Sequence, residues 1–162
     1  MEIPTRQVLE TRTEFQDAIR TSLALAALIG AREIWLSDAD FSAWPLGERS
    51  VVENLDRWAG PHRRMTLFAH SFDEVARRHG RWTAWRRQWS HVVECRTASD
   101  IEAARFPTIC LVTEAVSVRL ADTVRHRGML SRETIDAVEC REAIDAVLQR
   151  SVEAFPATTL GL

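Results

Sequence analysis

Apolar residues at Phe15, Ile19, Leu23 and Ala26 recur at the spacing that lines one face of a helix. They predict a first helix from about Arg12 to Ile29, stopped by Gly30, the residue type that most readily takes the left-handed closing conformation. Short runs rich in β-branched and aromatic residues predict strands at Glu33–Leu36, Met65–Ala69 and His91–Cys95. Two more, Thr108–Thr113 and Val116–Leu120, lie so close together that they read as a hairpin through Glu114 and Ala115. Helical periodicity returns over about Glu48–Trp58, ended by Gly60 and Pro61, and again from Phe72. Gly80 breaks that stretch, and a Trp-rich helix or turn continues to Trp89. A long last helix spans about Ser131 to Phe155, with Ala137, Cys140, Ile144, Val147, Leu148 and Phe155 on one face. Trp44-Pro45 keeps the segment Phe41–Gly47 out of a helix.

Four Ser/Thr-to-Glu pairs three residues apart have the form of capping boxes that announce helix starts: Thr11–Glu14, Ser50–Glu53, Ser71–Glu74 and Ser99–Glu102. The alternation of helices and strands predicts an α/β fold, with a mixed, mainly parallel sheet covered by helices on both faces. No repeat or Pro/Gly/Ser-rich linker divides the chain. The expectation is one domain over residues 1–156 and a C-terminal tail at 157–162.

Composition narrows the chemistry. The chain has 162 residues, 46% hydrophobic and 27% charged, with a net charge of −2, which is globular rather than disordered. All 21 of its cations are Arg. Without Lys, a P-loop lysine, a Schiff-base lysine and a Ser-Lys dyad are excluded. Residues 1–12 carry neither a basic nor an apolar leader region, and the longest apolar run, Leu23–Ile29, falls far short of the roughly 20 residues of a membrane span. Cys95, Cys110 and Cys140 are odd in number and form no C-x-x-C pair, so buried free thiols are expected rather than disulfides or a zinc site. The expectation is a cytoplasmic protein with no membrane contact and no cofactor.

Residues 77–96 stand out, with a local charge of +5 against −4 before them and −3 after. Trp82, Trp85 and Trp89 share a helical face there, interleaved with Arg81, Arg86 and Arg87. Trp and Arg together can stack bases and hold the phosphates of a single strand. The commoner role of such a stripe is to bury its Trp residues against a sheet and leave its Arg in water. A further group, Arg119, Asp122, Arg125, His126 and Arg127, follows the hairpin and reads either as a phosphate-facing cluster or as a solvated loop.

Asp38-x-Asp40 directly after a strand is the most enzyme-like local feature, since paired carboxylates there serve phosphoryl chemistry with Mg²⁺. His70, beyond the next strand, reaches the same sheet edge if the strands are parallel, and Asp73 follows. These four form a candidate pocket for a metal-dependent phosphate-ester hydrolase. Asp beside Ser more commonly caps a turn, and Ser71–Glu74 caps a helix.

Over residues 30–150 the chain resembles one half of a phospholipase D-like domain. The likeness rests on Ala31–Ser37 as opening strand, Arg63–Phe68 as second strand, a third strand, the Thr108–Leu120 hairpin and a terminal helix ending in Phe155. That family's His-x-Lys-x4-Asp motif supplies a His nucleophile and a phosphate-binding Lys. Here the comparable stretch, Ala104–Leu111, holds neither His nor Lys, and only Arg105 remains to meet a phosphate oxygen. The resemblance therefore implies a degenerate, noncatalytic relative, and the family's paired halves imply a homodimer. The leading expectation is a noncatalytic domain that binds an anion or nucleic acid through Arg81, Trp82, Trp85, Arg86, Arg87, Arg105 and Arg119. The hydrolase built on Asp38, Asp40, His70 and Asp73 is the alternative.

Overall fold

Helix α1 (Arg12–Ile29) forms where its hydrophobic period places it. Thr11 caps it, its hydroxyl accepting the Glu14 N–H at 3.1 Å, and Gly30 closes it in the left-handed region at φ 66°. Phe15, Ala18, Ile19, Leu23 and Ala26 form its buried face. The computed structural model describes residues 2–156, so the expected tail at 157–162 lies outside the described residues.

The remaining elements are β1 (Arg6–Leu9), β2 (Glu33–Ser37), α2 (Arg49–Trp58), β3 (Arg64–Ala69), α3 (Asp73–Arg78), α4 (Gly80–Gln88) and β4 (Val93–Thr97). Then come a 3-10 turn (Ala103–Arg105), β5 (Thr108–Val112), β6 (Val116–Asp122), β7 (Arg127–Ser131), α5 (Thr134–Gln149) and β8 (Val152–Glu153). The eight strands make one sheet in the order β1-β7-β6-β5-β2-β3-β4-β8. This is an α/β fold with a mixed sheet, as expected, but parallel pairing is confined to β2-β3 and β3-β4. The other five pairings are antiparallel, which corrects the mainly parallel expectation. Short links without a crossover helix allow only antiparallel neighbours, and β5, β6 and β7 follow one another through such links.

Alternation along the central strands divides the core. Ile34, Leu36, Met65, Leu67 and Cys95 pack with residues of α1, α2 and α4. Trp35, Phe68, Ile109 and Leu111 pack with Cys140, Ile144 and Val147 of α5. Helices thus cover both faces.

Several boundaries moved for identifiable reasons. Ser99–Glu102 caps no α-helix; the chain forms only the 3-10 turn after it. At Ser71 the hydroxyl accepts the Asp73 N–H at 3.2 Å ahead of the six-residue α3. α5 begins at Thr134 rather than Ser131, because Arg127–Ser131 is taken up as β7 between β6 and β1. The Arg119-to-Arg127 group is therefore a second hairpin, its turn held by Asp122 Oδ1 accepting the N–H groups of Val124 and Arg125, each at 3.0 Å. Gly128 leaves no room for a side chain between the two strands: a Cβ there would run into the Arg119 carbonyl oxygen.

Candidate nucleic-acid interface

The Trp stripe of α4 faces inward. Trp82 and Trp85 are 0% and 4% exposed and belong to the core beneath α2 and α4, with ring centroids 6.4 Å apart. Arg86 is 5% exposed. This corrects the base-stacking surface: a helix spends its one apolar stripe on the sheet, and rings sealed there do not meet a base. Of the five α4 candidates, Arg81 and Arg87 are the two exposed ones.

Packing of α2 beside α4 gives Arg81 new neighbours. A groove of about 670 Å³ runs between the two helices, with Arg49 and Arg57 on one side, Arg81 on the other and the edge of Trp85 between them. Arg81 donates to the Gly47 carbonyl at 3.3 Å and Arg57 to Asn54 Oδ1 at 2.6 Å. No ion pair among the described residues involves Arg49, Arg57 or Arg81. Glu53 and Asp56 also line the groove, and Asp56 accepts the Trp89 indole N–H at 3.1 Å. Sequence reasoning missed Arg49 and Arg57, whose only signal is their place along the polar side of α2, two turns apart.

Arg105 and Arg119 meet elsewhere, in a groove of about 450 Å³ beside α5 that also contains Arg150. Carboxylates answer part of this charge: Arg105 stands 3.9 Å from Glu102 and Arg150 stands 3.0 Å from Asp100. Arg119 is exposed and makes no ion pair among the described residues. Of the seven binding candidates, Arg81 and Trp85 line the α2/α4 groove and Arg105 and Arg119 the α5 groove, while Trp82 is core, Arg86 lies on the buried flank of α4 and Arg87 is exposed but lines neither groove.

The strand-edge carboxylates are engaged in building the loop after β2. Asp38 Oδ1 accepts the Thr108 hydroxyl at 2.5 Å, and Oδ2 accepts the Phe41 N–H at 2.8 Å and the Asp40 N–H at 3.3 Å. Burial pushes the Asp38 carboxyl above its usual range, and these hydrogen bonds only partly oppose it. Asp40 accepts the Ser42 N–H at 2.9 Å. His70 Nδ1 is 2.8 Å from the Ile101 carbonyl oxygen, and Asp73 is exposed. Among the described residues no three His, Cys, Asp or Glu side chains are grouped to hold a metal ion. Asp38 and Asp40 are turned to the backbone of their own loop and His70 to the Ile101 carbonyl, so the four residues of the hydrolase alternative are not brought together as one ligand set.

His79, which in the sequence has no ligand-like spacing to another His, sets the loop that borders the groove. Its Nδ1 accepts the Gly47 N–H at 3.2 Å and its Nε2 meets the Phe41 carbonyl at 2.8 Å. This requires the tautomer with the proton on Nε2. Phe41 is held at φ 61° with its ring fully buried against Trp44.

Fold and side chains together define an α/β domain with a mixed eight-stranded sheet and arginine-lined surface grooves. No protein-family model and no curated protein matches the chain. Among solved structures it is similar to TrmBL2, an archaeal chromatin protein whose structure shows a novel mode of DNA binding. The TM-score is 0.65 at 13% sequence identity, over 95% of this chain and 56% of that one. At this identity the likeness is one of fold, and the chain spans little more than half of the neighbour's length. The expected phospholipase D relation is overturned by this finding. It rested on element order, which unrelated α/β chains share, and on no matched motif.

No helix among the described residues is long and apolar enough to cross a membrane.

Proposed function

We propose that residues 1–156 act as a single noncatalytic domain that binds the phosphate backbone of DNA in the groove between α2 and α4. The observation that carries this reading is the placement of Arg49, Arg57 and Arg81 along one groove with no carboxylate among the described residues paired to any of them. A guanidinium presents a planar fork that matches phosphate oxygens, and one without a carboxylate partner has no salt bridge to break first. The neighbour's DNA binding supports the class of partner. A net charge of −2 argues for a local rather than a global electrostatic footprint, and in this groove three arginines outnumber the two carboxylates, Glu53 and Asp56. A cytoplasmic location belongs to the same reading, supported by three free, buried cysteines. The homodimer tied to paired phospholipase D halves loses its argument with that relation, so one chain is taken to bind by itself; light scattering in the concentration range of the binding measurement checks this.

Fluorescence anisotropy of a labelled DNA duplex, with a single strand of equal length beside it, tests the proposal at low and moderate salt. The expected result is affinity that falls steeply with salt. Replacing Arg49, Arg57 and Arg81 by Ala lowers affinity at least about tenfold and reduces the log–log salt slope by about 1 per arginine. Wild-type binding by the triple variant, or no binding at low salt, overturns it. If Arg105→Ala with Arg119→Ala abolishes binding instead, the α5 groove is the interface.

A further inference from the structure

The buried flank of α4 holds a charge that no carboxylate among the described residues answers. Arg86 is 95% buried, and its Nε is withdrawn from solvent without a hydrogen-bond partner. None of the ion pairs among the described residues includes it. An arginine guanidinium is a permanent cation in proteins. A buried, unpaired charge is among the costliest features a fold can retain. What the described residues supply is weak: the Phe155 ring, 5.2 Å from the guanidinium carbon, and the neutral thiol of Cys95. Phe155 is set in this position at φ 45° and stacks on Phe72 with centroids 5.5 Å apart.

Arg86 also lines a cleft of about 630 Å³ at the start of β4, bounded by Ser90–Cys95, by the β8 segment through Glu153 and Ala154, and by Arg64. The cleft's lining adds Arg64, His91 and the Ser90 hydroxyl, all exposed. Its carboxylates are Glu94 and Glu153. Glu94 is already shared between Arg96 at 2.7 Å and Arg64 at 3.6 Å, and Glu153 pairs with no cation among the described residues, Arg86 included. Arg86 and Glu153 are thus the cleft's two charges without an ion-pair partner among the described residues, and of the two Arg86 is buried whereas Glu153 is exposed to water.

We propose that this cleft is a site for a small oxyanion, specifically the phosphate group of a small molecule, with Arg86 as its buried anchor and Ser90 and His91 as donors at the mouth. The size of the cleft admits a phosphate together with the body of a small metabolite. The site lies on the opposite flank of α4 from the Arg81 groove, and it stands or falls independently of the DNA reading.

Thermal unfolding of the full chain with increasing orthophosphate, against chloride at matched ionic strength, tests the site. Orthophosphate is expected to raise the Tm by several degrees where chloride does not. Arg86→Met removes the buried charge and keeps the volume. It is expected to abolish the phosphate response while raising the Tm of the unliganded protein, because the unpaired charge is gone. Should Arg86→Met fail to fold, Ser90→Ala combined with His91→Ala, both at exposed positions, decides the matter through a phosphate affinity at least fivefold weaker. A phosphate shift equal to that of chloride, or one retained in full by Arg86→Met or by the rim variant, overturns the proposal. A 5′-phosphorylated oligonucleotide that competes with orthophosphate, where its unphosphorylated form does not, places the same site on a strand end rather than on a free metabolite. Arg49→Ala with Arg57→Ala leaves the phosphate response unchanged, so loss of DNA binding and loss of this site are read separately.

Discussion

The carboxylate of Asp38, at the end of β2, is bound by the hydroxyl of Thr108, which is 70 residues away in sequence and opens β5. With its second oxygen Asp38 holds the N–H of Phe41, a residue in the left-handed region whose ring is sealed in the core. The Asp-x-Asp pattern that looks like phosphoryl chemistry in the sequence is therefore a fastening between two strands and a strained turn.

This arrangement separates a structural from a catalytic carboxylate by a single pair of variants. Asp38→Ala leaves the Phe41 and Asp40 N–H groups without their acceptor and is expected to cost about 1–3 kcal/mol in urea unfolding. Asp38→Asn can accept the same two N–H groups and donate to a reoriented Thr108 hydroxyl, so it is expected to be neutral or stabilising at neutral pH. Because burial raises the Asp38 pKa, the folded state binds the proton more tightly than the unfolded chain. Between the usual carboxylate value and the raised one, this group's contribution to stability falls as pH rises. Asp38→Asn removes that component of the slope, read from unfolding midpoints across the acidic range. An Asn variant as unstable as the Ala variant would contradict the assignment.

The three cysteines are expected to be silent in the native state. Burial pushes the Cys95 thiol up to about 12, the nearby Arg86 only partly opposing it, and it pushes Cys110 and Cys140 up as well. Reactivity follows the thiolate fraction and access, and both are low here. Titration with a thiol-specific disulfide reagent at mildly alkaline pH should register all three cysteines only after denaturant is added. Rapid labelling of any one in the native protein would show that the region around it opens.

Gly128 allows β6 and β7 to approach. A Cβ at this position would lie 2.0 Å from the Arg119 carbonyl oxygen and 2.7 Å from the Leu120 Cα, both backbone atoms that cannot swing aside. Gly128→Ala is therefore expected to cost about 2 kcal/mol or more, with the strands forced apart. The substitution Gly60→Ala, where nothing lies within 4 Å, is the control and should be near neutral. Chemical denaturation of the two variants makes the comparison.

The local elements were legible because they depend on neighbours in the chain. The period of Phe15, Ile19, Leu23 and Ala26, the Thr11 cap and the Gly30 stop specify α1 at both ends without reference to anything distant. The central strands announce themselves through apolar runs, since a strand covered on both faces needs apolar residues on each. β7 did not, because Arg127–Ser131 mixes Arg, Gly and Ser and becomes a strand only between partners on either side.

What only the tertiary structure decided is which groups meet and which are spent. Periodicity showed that Trp82 and Trp85 share a face; the sheet beneath α4 decided that the face is core. Arg49 and Arg57 carry no local mark, and the packing of α2 against α4 set them opposite Arg81. Asp38 and Asp40 kept the same sequence pattern under either reading, and Thr108 and the turn backbone settled their role. Arg86 was one of six arginines in a basic stretch until the fold closed over it with no counter-charge among the described residues. Secondary structure is written in spacings of a few residues, whereas a site depends on desolvation and long-range pairing, which exist only once the chain has folded.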